Sequence, residues 1–175
     1  KRVRDWSAGL AVYDISKPEN PRRIGFMPVD GGGIHRVWYT GGRWAYVSVL
    51  LDGFTDYIFM TVDMSNPAQP REAGRWWIPG MNLAAGETPA WEATRRYGLH
   101  HAIINGDTAY AAWRDAGMVV LDIADRAKTN LISTGRNVID LVVAILLSGG
   151  TRIRINVEEI WSMQCNYDIR CAFLF

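Results

Sequence analysis

The chain repeats itself, and that repeat constrains the fold more than any other feature. Residues 98–123, "GLHHAIINGDTAYAAWRDAGMVVLDI", follow the pattern of residues 33–64, "GIHRVWYTGGRWAYVSVLLDGFTDYIFMTVDM". Gly33-Ile34-His35 falls on Gly98-Leu99-His100. The turn "TGGRWAYVS" falls on "NGDTAYAAW", so Tyr46 meets Tyr110. Further on, "IFMTVDM" meets "MVVLDIA" and Asp63 stands on Asp122. A third, shorter copy opens the chain, "GLAVYDISKPENPRRIGFM", with Asp14 in the Asp63 place.

Each copy reads as short strands joined by turns. In the middle copy the strands are expected over residues 35–39, 44–50, 57–63 and 71–77. Thr40-Gly41-Gly42-Arg43 makes the first hairpin and "LDGFTD" a longer one. "MSNPAQP" repeats the turn "SKPENP" of the opening copy, where proline fixes φ, offers no N–H and stops the strand. The last copy gives strands from Leu99, Thr108 and Gly117, with a weak fourth over residues 128–133. Gly31-Gly32-Gly33 is read as a sharp change of direction before the first of these strands. Residues 78–97 break the rhythm with two Pro and two Gly. Irregular connections of such length inside a compact domain are usually functional or disordered. Within them, "TPAWEATRR" reads as a helical turn with Pro behind a Thr cap.

A unit of four short antiparallel strands that recurs in this way predicts an all-β, propeller-like array of blades, incomplete in this chain. One blade cannot bury both faces of its sheet, and radial stacking does so while leaving short edges. A sandwich is the alternative for so many short strands, and the repetition favours the propeller. The expected division is a partial blade over 1–30, a blade over 31–77, the loop 78–97 and a blade over 98–134. Residues 135–175 read either as a divergent further blade or as sequence outside the repeat. "LVVAILLSGGTRIRIN" is legible there as two strands about a Ser-Gly-Gly turn.

The runs "GLAVYDISKPENPRRIG", "IFMTVDMSNPAQPREAG" and "GMVVLDIAD" resemble the LVIVD repeat, a propeller-forming repeat of bacterial and archaeal proteins. The resemblance covers residues 9–134, and it implies a fold rather than an activity. A more distant resemblance is to the selenium-binding protein and methanethiol oxidase propellers, which carry metal-binding histidines near a central channel. No motif transfers those ligands to this chain residue by residue.

Nineteen basic against eighteen acidic residues leave a net charge of +1, which gives no electrostatic case for nucleic acid or an anionic membrane. The longest apolar run, "LVVAILL", is far short of the roughly 20 residues a membrane helix needs. Cys165 and Cys171 are two thiols without a framework, and no role is assigned to them. No leader is visible, and the first residue lies against a repeat, so a piece of a longer protein is expected. The compartment stays open, with a bacterial surface as one expectation.

The chemistry-bearing candidates concentrate where each copy begins. His35 and His100 share one repeat position and His101 is adjacent; these are all the histidines of the chain. Imidazoles at the channel end of successive blades would point toward a common axis, and they are frequent ligands of transition metals. A structural role, capping the backbone before the first strand, would equally repeat. Glu87, Trp91 and Glu92 lie in the long loop, which must cross the same end. His35, Glu87, Trp91, His100 and His101 are therefore expected to line one pocket, with the three histidines as the metal set if a metal is bound. Asp115 reads as a hairpin-turn residue suited to an Asx-type turn, Arg114 beside it as a solvated tip with anion binding as the alternative, and Asp14, Asp63 and Asp122 as acceptors for the turns that follow them. There is no Gly-x-Ser-x-Gly elbow, phosphate-binding loop or His-Glu-x-x-His. The expected function is a binding module for a small molecule or a protein; the rival is a metal-dependent, oxidoreductase-like enzyme.

Overall fold

The computed structural model describes residues 7–135. The expected strands and both cysteines of the tail lie outside these residues. Ten strands follow one another: β1 (Gly9–Asp14), β2 (Arg22–Pro28), β3 (Gly31–Trp38), β4 (Trp44–Leu51), β5 (Ile58–Asp63), β6 (Arg71–Trp76), β7 (His101–Asn105), β8 (Thr108–Ala112), β9 (Met118–Asp122) and β10 (Asn130–Gly135). They form a two-stranded sheet β1-β2 and two four-stranded antiparallel meanders, β3-β4-β5-β6 and β7-β8-β9-β10.

Burial follows position within each meander. All six residues of β5 are buried, as are Ala45, Tyr46, Val47, Ser48 and Val49 of β4. Successive side chains of a strand point to opposite faces, so burial without alternation means that both faces are covered. β10, by contrast, is exposed along almost its whole length. One continuous apolar core runs from Met27 through Phe59 and Met81 to Trp113 and Ile123, spanning all three sheets. Trp76 of β6 meets Trp113 of the next blade edge-on, with ring centroids 5.3 Å apart.

The register confirms the alignment of the copies. Trp38 pairs with Tyr46 and Trp44 with Asp63; Ile103 pairs with Tyr110 and Thr108 with Asp122. Tyr46 and Tyr110 are therefore equivalent, and the first hairpin of the earlier blade is longer by one residue. The turn aspartates do the same thing three times: Asp14, Asp63 and Asp122 each accept, at 2.9 Å, the backbone N–H two residues on. Asp63 also takes a forked pair of bonds from Arg43, at 3.1 and 2.9 Å.

The turns have a second function, which is to join the blades. A Cβ on Gly25 of β2 would stand 2.1 Å from the Pro67 carbonyl oxygen, and one on Gly74 of β6 would stand 2.4 Å from that of Arg126. The outer strand of each blade thus carries a glycine where the turn of the next blade presses on it. Arg126 locks the second contact by donating to Asp107 at 2.6 Å and to the Tyr46 hydroxyl at 3.2 Å.

Two local expectations are corrected. The glycine run lies inside β3 instead of preceding it: Gly31 has φ 155 and sits against the Leu50 carbonyl, and Gly33 has φ 99. No helical turn forms over "TPAWEATRR", where a single reverse turn from Glu92 to Arg95 is found. A 3-10 turn forms earlier, at Leu83–Ala85, because Asn82 caps it and Gly86 at φ 81 closes it.

Two outcomes are expected on stability. Gly74→Val in the full chain should lower the urea midpoint by the equivalent of about 1–3 kcal/mol, the usual cost of overpacking. Gly106→Ala, which meets open space at φ 58, should cost only the left-handed penalty of about 1 kcal/mol. Equal costs would show that the inter-blade contact does not matter. The bonds from Arg43 and the Ser65 amide hold the Asp63 carboxyl well below its ordinary value of 3.8. Its stabilisation is present above the ordinary value of 3.8 and is lost progressively as pH falls below it toward the lowered pKa of the folded state. Thermal unfolding followed from pH 5 to 2.5 should fall more steeply for the wild-type chain than for Asp63→Asn.

Candidate functional site

The beginnings of the two full blades meet. In β3 the register steps between Ile34, paired with Val49, and Arg36, paired with Ser48, leaving His35 as the extra residue of a bulge. A bulge bends a strand and re-aims one side chain. The displaced Arg36 N–H donates to the Ser48 hydroxyl at 3.0 Å. In the next blade His100 N–H donates to the Ala112 carbonyl at 2.8 Å, just before β7 opens. Leu99 N–H donates to the Tyr57 carbonyl, also at 2.8 Å, and stitches this entry to the start of β5. The result is a three-ring cluster. His35 lies 5.2 Å from Tyr57 and 5.2 Å from His100, the two imidazoles meeting at 62°.

A charged frame surrounds the rings. Asp56, buried, accepts from Tyr57 N–H at 2.8 Å and from the Arg96 guanidinium at 2.8 and 3.1 Å. Gly98 permits this approach, because a Cβ there would fall 2.4 Å from the Asp56 carboxyl carbon. Arg96 N–H donates to the Asp115 carboxylate at 2.7 Å, and Asp115 N–H donates back to the Arg96 carbonyl at 3.2 Å. The long loop, the longer hairpin of the first blade and the hairpin carrying Arg114 are thus tied together beside the imidazoles.

His100 is the pivotal member. Its residue is 9% exposed, and its Nδ1 has no hydrogen-bond partner among the described residues. Burial, then the charges of Arg114 and Arg36, press its pKa down to about 4. His101 is held at about 4 by burial and by Arg36. His35 is accessible, yet its surroundings and the charges of Arg36, Arg114 and Arg96 lower its pKa against a weaker pull from Asp56. All three imidazoles are therefore neutral at pH 7, able to donate at one nitrogen and accept at the other.

Of the five residues expected in one pocket, His35 and His100 are brought into contact. His101 turns to the first blade and faces Trp38, ring centroids 5.8 Å apart. Glu87 is used inside its own loop, accepting from Trp77 Nε1 at 3.1 Å, Gly80 N–H at 2.8 Å and Asn82 N–H at 3.0 Å. These bonds hold its carboxyl below the ordinary range. Trp91 stacks on Tyr97 at 4.3 Å and packs over Gly80. The hydrogen bonds of Glu87 and the ring stacking of Trp91 fall within residues 77–97, where they shape the loop, and Trp91 also packs on the core. Among the described residues no three His, Cys, Asp or Glu side chains gather as a metal-holding group. The capping role considered for the repeated histidine does not occupy the Nδ1 of His100. Arg114 is half-buried, at φ 43, and its charge bears on both His35 and His100, so it is no solvated tip. Tyr57, Asp56, Arg36 and Arg96 were not legible as site residues. The signal for Arg36 was present, since the repeat position after His35 holds a second basic-type residue, His101, in the later copy.

A groove of about 510 Å³ lies at the opposite end of the strands, between the turns, and its lining includes Arg43, Asp63, Arg71, Asp125 and Arg126. Its charges are largely paired with one another: Arg43 and Arg71 with Asp63, and Arg126 with Asp107 beside it. It is part of the joint between blades.

Antiparallel four-stranded blades, repeated and stacked, define a propeller-type repeat module. The sequence model of the LVIVD repeat matches residues 3–26, 32–77 and 102–135, so the chain belongs to the LVIVD-repeat family. No curated protein sequence matches it. The more distant resemblance to the selenium-binding propellers gains no support from these matches. Among the described residues no helix is long and apolar enough to cross a membrane.

The histidine ionisations are directly measurable. Between pH 6.5 and 4 the unfolded chain binds protons at positions that the folded chain keeps neutral, so stability should fall as pH drops through this window. Histidine Hε1 resonances should titrate near pH 4 for His100 and His101 and below 6.5 for His35. Midpoints of 6–7 for His100 and His101 would contradict the field described here.

Proposed function

We propose that this module is a binding propeller, and that its ligand sits on His35, His100 and Tyr57 where two blades begin. The observation that carries the reading is the orphaned Nδ1 of a buried His100, set beside an imidazole from the equivalent position of the neighbouring blade. Burying a polar atom without a partner costs about 1–3 kcal/mol, and a bound ligand that engages it recovers that cost. Ring faces on three sides supply apolar contact, and neutral imidazoles supply orientation. This division of labour is the usual one in small-molecule sites. Loops from three parts of the chain converge here, where a rigid scaffold positions variable contacts.

The test is a fragment library screened against the full chain labelled with 13C at its histidines. Fragments that bind should shift the Hε1 resonances of His35 and His100 together, and His100→Gln should abolish the response at His35. Screening that leaves both resonances unmoved, or that places every binder in the polar groove near Arg43 and Arg126, would overturn the reading. The same sample reports on the metal-dependent alternative, since Zn(II) held by both imidazoles would shift the two resonances at stoichiometric concentration.

A further inference from the structure

We infer that Ser133 is a steric stop on blade stacking: it bars the outer strand β10 from taking a further repeat turn, and so keeps copies of the chain from joining head to tail.

The three outer strands are built alike, in one register. At their starts Arg22 pairs with Asp14, Arg71 with Asp63 and Asn130 with Asp122. Each strand then holds one extra residue in a bulge, Ile24 in β2, Ala73 in β6 and Ile132 in β10. The residue after the bulge is Gly25, Gly74 or Ser133, opposite Val12, Thr61 and Val120. The two glycines are those on which the next blade's turn rests. A Cβ at Gly25 would fall on the Pro67 carbonyl oxygen and 3.0 Å from the Ala68 Cα. One at Gly74 would fall on the Arg126 carbonyl oxygen and 2.9 Å from the Ala127 Cα. These are backbone atoms, which cannot swing aside as the end of a side chain can. Serine brings that Cβ, so a turn laid on β10 as the others lie on β2 and β6 collides with it.

The rest of β10 shows what the stop prevents. The other outer strands are edged with charge, Arg22 and Arg23 in β2 and Arg71, Glu72 and Arg75 in β6, whereas residues 130–135 carry none. Charged side chains guard edge strands against unwanted pairing. β10 lacks that guard and exposes Leu131 at 50% and Ile132 at 56%. The other half of an inter-blade joint is exposed as well, in the opening turn over residues 16–20. Pro18 stands four residues past Asp14, as Pro67 does past Asp63 and Arg126 past Asp122. β10 of one copy and the opening turn of another are thus the two halves of the joint that the chain uses twice internally, the serine apart. Such a contact is heterologous, and unless its rotation closes a ring it grows without limit.

The experiment follows the weight-average mass of the full chain by sedimentation over a range of protein concentrations. The wild-type chain should keep one mass throughout. Ser133→Gly should associate as concentration rises, with a mass increase of about two-fold or more. Ser133→Ala, which loses the hydroxyl and keeps the Cβ, should behave as wild type. Asp14→Ala, which removes the carboxylate that accepts from Ser16 N–H in the opening turn, should reverse the association of Ser133→Gly. The converse substitution, Gly74→Ser, should lower the urea midpoint by about 0.5 M or more. Gly25→Ser serves at the first joint should Gly74→Ser fail to fold. Ser133→Gly remaining at the wild-type mass, Ser133→Ala associating as strongly as Ser133→Gly, or serine accepted at an internal joint without loss would each overturn the inference.

Discussion

The contact between one blade's outer strand and the next blade's turn is what the rest of the molecule depends on. A single meander has two apolar faces and cannot bury either alone. The blades here approach closely enough because Gly25 and Gly74 leave no side chain where Pro67-Ala68 and Arg126-Ala127 must pass. The same turn is held in shape by its aspartate, which folds the backbone back on itself two residues later. One short segment therefore sets the hairpin geometry and the spacing between sheets. Once that spacing is set, β4, β5, β8 and β9 are covered on both faces and the core becomes continuous across the blades.

The fold was legible because its determinants are local and repeated. Alternating runs, proline-bounded turns and the recurring Asp are read directly along the chain, and copies reinforce one another. The inter-blade glycines were also visible in the sequence, in "RRIGFM" and "REAGRW", yet nothing local marked them as contact points. A glycine in a strand signals close approach only when one knows what approaches. The misplacement of the helical turn has a comparable cause. Thr88-Pro89 has the chemistry of a helix start, but Glu87 beside it is fully engaged by Trp77 and the amides of Gly80 and Asn82.

The candidate site was legible only in part. His35 and His100 come into contact because repetition places them equivalently, and equivalence in a stacked array brings residues of neighbouring blades together. Glu87 and Trp91 were expected with them because their loop crosses the same end. Proximity of a loop does not fix where its side chains are spent, and these two are spent on the loop itself. The partners that do surround the imidazoles come from residue pairs distant in sequence. Asp56 and Arg96 are forty residues apart, and their meeting depends on Gly98 having no Cβ.

Among the described residues the two ends of the blades differ in how their polar groups are satisfied. At the turn end of the blades, acids and bases match: Arg43 and Arg71 close on Asp63, and Arg126 on Asp107. Those pairs are mutually satisfying, and they leave a polar joint with little field of its own. At the other end the repeat places a histidine in both blades, and the loops add Arg96 together with the carboxylates of Asp56 and Asp115 that engage it. Rings kept neutral by burial and by positive neighbours contribute nothing to holding the blades together through charge. One of them, His100, keeps an unsatisfied nitrogen, which is costly as structure. The turn end thus builds the scaffold through paired charges and close backbone contacts, whereas the opposite end differs between the two full blades without loosening that joint.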